Sequence, residues 1–295
     1  MKRVFLGLFI AIGLTLFTLY RTDGFFLSKI QGPLVQGTAL APDFECQDYL
    51  HQPFYYFAKG RQCYVFISAD GQTVIKFLNY SRFSLPRWLC KTPLPHYWKM
   101  WLVGLEDKRR LRFEATMNSF QLAMEQLRDE TGLIYLHIQQ GGNLPAIEIV
   151  DQAHRAHHVD LNNTTFLLQK KATPIYEALD NLYRTGGERS LNQGIHFFIS
   201  FLQKRCSLLL ADDDRDVEIN FGFDRGHLIL LDPGRLFYDP SLENPDRVER
   251  EIRIASKRLH QWLSQNYPES ALFLENEVEQ AIKNLTEDRT AYSRF

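Results

Sequence analysis

The sequence predicts a mixed α+β protein behind a single N-terminal transmembrane helix. Three observations lead there. Residues 4–20 are an apolar run diluted only by glycine and threonine, between Lys2-Arg3 and Arg21. Residues 64–78 and 219–232 read as strand–turn–strand. Long segments elsewhere repeat apolar residues at helical spacing. At 295 residues and 45% hydrophobic, the chain can bury a sizeable core. It lacks the low hydrophobicity and high net charge of disorder.

The apolar run covers 17 residues, about the lower limit for a spanning helix. A cleaved signal peptide fits less well. The nearby small-x-small site, Ala39-Leu40-Ala41, lies far beyond the run and precedes Pro42. Residues 1–31 are therefore expected to be an anchor with its juxtamembrane segment, making the protein a single-pass membrane protein. Lys2, Arg3 and the α-amino group outweigh Arg21 and Lys29, which Asp23 offsets. That small difference weakly favours a non-cytosolic body and leaves the side open. Residues 32–54 read as linker and lead-in.

Residues 55–170 are expected to form a small β-rich lobe with one long helix. Its hairpin turns at Asp70-Gly71, and its helix spans about 105–130 with Phe113, Met117, Phe120, Met124 and Leu127 on one face, ended by Thr131-Gly132. Strands follow near 133–138, 146–151 and 164–170. Residues 171–282 are expected to be a helical lobe. It contains a helix over 191–209 carrying Leu191, Ile195, Phe198, Leu202 and Leu209, then the second hairpin. A further helix opens at Asn244-Pro245, a cap followed by a first-turn proline. Residues 283–295 read as a polar tail.

A net charge of −1 argues against nucleic acid as a partner, because phosphate binding needs a basic excess. Cys46, Cys63, Cys90 and Cys206 have neither disulfide-scaffold nor CxxC spacing and read as separate, mostly buried thiols. Asp212, Asp214 and Asp216 match the start of a calcium loop, but Val217 and Phe223 occupy the glycine and glutamate positions. That reading fails. His154, His157 and His158 lack a fixed carboxylate or cysteine partner and read as a polar hairpin tip.

Chemistry concentrates at a few positions. Val74-Ile75-Lys76 puts a cation on a rigid strand, followed by a helix bearing Glu106 and Glu114. Asn220 and Asp232, both oxygen ligands suited to a hard cation, stand twelve residues apart around the second hairpin, and Asp232-Pro233-Gly234 follows it. In this order, these residues resemble the protein-kinase-like fold over most of residues 55–265. The resemblance implies a two-lobed fold, here with a truncated C-lobe, binding ATP and Mg²⁺. It implies Lys76 as the phosphate-holding lysine and Glu114, or alternatively Glu106, as the glutamate that orients it. Gly60 stands where the phosphate loop would be, and Asn220 and Asp232 match the metal ligands. Asp214 or Asp216 would be the base.

The departures are substantial. Lys59-Gly60-Arg61-Gln62 offers one glycine, Asp-Pro-Gly replaces Asp-Phe-Gly, and there is no His-Arg-Asp. Asp216 lies four residues before Asn220, one fewer than in the family motif. Two functions stay open. One is a membrane-anchored ATP/Mg-dependent phosphotransferase with a degenerate site. The alternative is a non-catalytic pseudokinase-type scaffold. The expected partners are membrane lipid, through residues 4–20 and the basic-aromatic insert at 79–103, together with a protein or a small substrate. The insert carries Arg82, Arg87, Lys91 and Lys99, plus Trp88, Tyr97, Trp98 and Trp101, and no acids. That composition suits the lipid headgroup zone.

Overall fold

In a computed structural model of the chain, residues 13, 15, 17–35, 44–86, 92, 93 and 95–292 are described. The chain is mixed α+β and divides into two compact units, residues 1–114 with 133–171, and 115–132 with 172–295.

The first unit is built on one sheet. Its strands are β1 (Phe54–Lys59), β2 (Cys63–Ser68), β3 (Thr73–Leu78), β4 (Leu133–His137), β5 (Ala146–Val150), β6 (Ala156–Asp160) and β7 (Phe166–Lys170). They form a seven-stranded sheet in the order β4-β7-β3-β2-β1-β5-β6. The 64–78 hairpin is present, with Val65 opposite Lys76 and Phe66 opposite Ile75. Gly71 takes the left-handed turn position (φ 70°). Aromatic and β-branched residues on alternate positions give one sheet face a core of Tyr64, Phe66, Ile75, Phe77, Phe166 and Leu168.

Residues ahead of β1 close that core. Phe25 (1% exposed) and Ile30 (0%) sit in it. The Phe25 ring meets Tyr64 and Phe66 edge-to-face at 5.2 and 5.3 Å. The Tyr64 hydroxyl donates to Gly24 O at 2.8 Å, and Lys59 Nζ donates to Asp23 O at 2.8 Å. A helix α1 (Phe44–Leu50) adds Cys46 and Leu50.

The expected transmembrane anchor is therefore corrected, and with it the fold as one behind a spanning helix and the single-pass localisation. Residues 4–12, 14 and 16 of the run lie outside the described residues. No helix among the described residues is long and apolar enough to cross a membrane. Locally, the helical residues stop at Arg21. The Thr22 hydroxyl folds back onto Thr18 O, and Asp23 and Gly24 turn through left-handed φ values of 46° and 67°. The chain then commits its next aromatic, Phe25, to the sheet.

The long helix α2 runs from His96 to Gln126, starting nine residues before the expected 105. A short helix α3 (Arg128–Thr131) follows. Gly132 caps it in the left-handed region (φ 59°), its N–H donating to Arg128 O and Asp129 O. Residues 87–91 and 94 of the insert lie outside the described residues.

The second unit holds α4 (Ile175–Ser207), α5 (Val217–Asn220), α6 (Pro245–Asn266) and α7 (Pro268–Tyr292). It also holds strands β8 (Thr173–Pro174), β9 (Leu210–Asp212), β10 (Phe221–Asp224), β11 (His227–Leu230) and β12 (Leu236–Tyr238). α4 begins earlier than expected because two helices join across Gly187, whose φ 66° and ψ −161° leave the helical region. α6 begins as expected: the Asn244 side chain accepts from Asp246 N, with Pro245 next. α7 carries the expected tail region on as helix to Tyr292. Cys46, Cys63 and Cys206 are buried; Cys90 lies outside the described residues.

β10 and β11 form the second hairpin, joined at Arg225 and Gly226 with φ 47° and 86°. Two consecutive positive φ values match the right-handed twist of the strands. Gly222 is required for another reason. A Cβ there would lie 2.6 Å from the backbone oxygen of Thr173 on the adjoining strand. Gly222→Ala is expected to cost about 1–3 kcal/mol, as overpacking against backbone does. Calorimetry checks this, and an unchanged unfolding midpoint would contradict the close approach.

Candidate functional site

Lys76 sits on β3, half-buried, opposite Val65 and Leu167, on the face opposite Ile75 and Phe77. Glu114 and Glu106 are both exposed, and the Glu114 carboxylate accepts from Arg110 on its own helix at 3.1 Å. Gly60 lies in the short β1–β2 connection, where its N–H donates to Cys63 O at 2.9 Å. A Cβ at Gly60 would meet only Cys63 O, at an ordinary 3.5 Å. The backbone there does not itself demand glycine.

The second unit gathers the other four candidates around one hairpin. Phe221 pairs with Leu230, and one step further Leu231 N donates to Asn220 O at 2.6 Å. The twelve-residue interval is thus the length of a hairpin that sets Leu231 opposite Asn220, with Asp232 one residue further on. Asn220 ends the single turn α5, its own N–H bonded to Asp216 O at 3.0 Å. It is 1% exposed, and neither its side-chain oxygen nor its nitrogen has a hydrogen-bond partner. A buried unpartnered amide costs about 1–3 kcal/mol, so this position is out of step with a purely structural role. The Asp232 carboxylate accepts from Gly234 N at 3.2 Å. Pro233 O accepts from the Ser119 hydroxyl, tying the Asp-Pro-Gly turn to α2.

The acidic loop is ordered by its own carboxylates. Asp212 accepts from Asp214 N at 2.8 Å, and Asp214 accepts from Asp216 N at 3.3 Å. Asp214 also lies 3.8 Å from Arg235. One Asp216 oxygen pairs with Arg258 at 2.7 Å; the other is buried without a partner. Among the described residues no three His, Cys, Asp or Glu side chains converge as a metal-ligand set. His157 bonds to Asp151 at 2.8 Å.

Sequence reasoning missed Arg205 and Glu251, and gave Asp212 no role beyond the rejected calcium loop. Arg205 is 3% exposed; it donates to Glu251 at 2.6 Å and lies 3.7 Å from Asp212. A signal existed, since position 205 continues the apolar face 191-195-198-202. Burial pushes the Asp212 carboxyl up to about 6, with help from Asp214 and Asp232, against the opposing pull of Arg205. The unfolded carboxyl titrates near 3.9, so between about pH 4 and 6 the folded state holds the extra proton. Stability from this group is therefore present at low pH and is lost as pH rises through 6. Asp212→Asn is expected to shrink the change in unfolding midpoint between those pH values, and equal slopes in both proteins would contradict it.

No family model matches the chain, and no curated protein matches it in sequence. Solved structures do resemble it. A high-resolution crystal structure of WbdD is 15% identical with TM-score 0.39, covering 79% of this chain and 46% of that one. WbdD with a kinase inhibitor is 13% identical with TM-score 0.34, covering 77% and 45%. A further structure, described as the bifunctional kinase-methyltransferase WbdD, is 14% identical with TM-score 0.35, covering 88% and 49%. The chain spans about half the length of each.

Proposed function

We propose that this kinase-like protein binds a magnesium nucleotide through the β10–β11 hairpin and acts as an ATP- and Mg²⁺-dependent phosphotransferase. The observation that carries the reading is the buried, unpartnered amide of Asn220, whose backbone oxygen receives Leu231 N one residue before Asp232. The donor set is compatible with Mg²⁺, which takes oxygen ligands and keeps several waters, so that few side chains suffice. Asn220 and Asp232 would hold it, and the ion would supply charge neutralisation at phosphate oxygens. Asp216 is the better candidate base. Both Asp214 oxygens are engaged, whereas one Asp216 oxygen has no partner and Arg258 fixes the other. Lys76 takes its phosphate role from the resemblance alone.

One observation favours a second reading, a nucleotide-binding module without transfer. Glu114, the glutamate assigned to orient Lys76, is exposed and bonded to Arg110. Thermal-shift titration of the full chain with Mg-ATP, paired with a phosphate-transfer assay, separates the readings. The phosphotransferase predicts stabilisation that Asp232→Ala abolishes, and transfer that Asp216→Asn abolishes while stabilisation remains. Stabilisation without transfer in the unaltered protein selects the module. No stabilisation at millimolar nucleotide ends both.

A further inference from the structure

α2 changes character along its length. From Phe113 onward it buries one face, with Thr116, Met117, Ser119, Phe120 and Ala123 covered. Its first two turns bury nothing. Tyr97 is 78% exposed, Trp98 53%, Met100 64%, Trp101 53% and Val103 58%. The Tyr97 and Trp98 rings meet edge-to-face at 6.4 Å, and Trp98 and Trp101 at 6.1 Å. The aromatics thus form one continuous surface rather than scattered single residues. Helices apolar on every side are normally buried, and contiguous exposed apolar patches mark contact sites.

We infer that the start of α2 is a contact surface for an anionic lipid bilayer, lying at headgroup level and not crossing it. Two features select that occupant. Indole and phenol rings combine an apolar body with a polar tip and settle at the membrane–water boundary. The sequence segment that carries them has one sign of charge: residues 79–105 contain Arg82, Arg87, Lys91 and Lys99 and no acid, the first being Glu106. Basic residues beside such rings complement anionic headgroups. The inference is independent of nucleotide binding.

The test uses the full chain with vesicles of phosphatidylcholine alone or with a third phosphatidylglycerol, both carrying brominated acyl chains. Tryptophan fluorescence should shift to the blue and be quenched with the anionic vesicles and much less with the neutral ones. In Trp98→Ser/Trp101→Ser, sedimentation with the anionic vesicles should fall severalfold, and the unfolding midpoint should hold because both rings are exposed. Trp88 and Trp262 also fluoresce, so the double variant is read by sedimentation and not by quenching. Absence of quenching in the unaltered protein, or equal sedimentation of the double variant, overturns the proposal. So does a wild-type dimer by light scattering that the double variant converts to monomer, which would assign the patch to a second copy.

Discussion

Arg205→Met is expected to lower the unfolding midpoint by on the order of 10 °C. The guanidinium is the centre of a buried chain of charges. It donates to Glu251 at 2.6 Å and lies 3.7 Å from Asp212. Glu251 in turn accepts from Arg247 at 2.9 Å, and Arg247 reaches Asp239 at 2.9 Å. The network therefore joins α4, β9, α6 and the turn before α6. Arg205 is 3% exposed, Glu251 2% and Asp212 4%, so removing the cation strands Asp212 away from water and leaves Glu251 with Arg247 alone. Breaking such a pair costs about 3–5 kcal/mol, and each kcal/mol moves the midpoint by roughly 2–4 °C at this size. Adding Asp212→Asn should recover part of the loss, because it removes the buried carboxylate left without a cation. Calorimetry on the single and double variants decides it, and a single variant within about 2 °C of wild type would refute the network's weight.

Asn220→Leu should separate binding from stability. If the amide served only the fold, removing it would destabilise the protein. Its polar atoms have no partner, so a similar-sized apolar side chain should leave the ligand-free midpoint level or higher. The same change should erase stabilisation by Mg-ATP. For the unaltered protein that stabilisation is about 2.7 kcal/mol at a hundredfold excess over Kd. Asp232→Ala should lose it too, but with a lower ligand-free midpoint because the bond from Gly234 N goes with it. Retained nucleotide stabilisation in Asn220→Leu would remove Asn220 from the site.

The hairpins were legible because their signals are local. Asp70-Gly71 and Arg225-Gly226 mark turns that only certain residues enter, and alternating aromatics show which strand face is buried. Asn244-Pro245 announced α6 for the same reason. The start of α2 was not legible, since residues 96–104 have no covered face and so no helical apolar period. The pieces of α4 merged across Gly187, which sequence alone reads as a stop. Residues 22–35 were taken for a juxtamembrane segment and linker because their core contacts, Phe25 and Ile30 among them, are distant in sequence. At the site, the spacing of Asn220 and Asp232 was readable as a hairpin, whereas the burial of Asp212 depends on Arg205 and Glu251, which lie far from one another in the chain.

The seat of Phe25 and Ile30 also decides where this chain can be cut. A shortened version beginning at residue 32, just beyond the apolar N-terminal stretch, would look like a clean domain boundary. It would remove two fully covered side chains and the backbone oxygens that receive Lys59 and Tyr64. The sheet would then present Phe66 and Tyr64 to solvent, an invitation to aggregate. A workable shorter chain keeps the Thr22–Ile30 strap and trims only what precedes it.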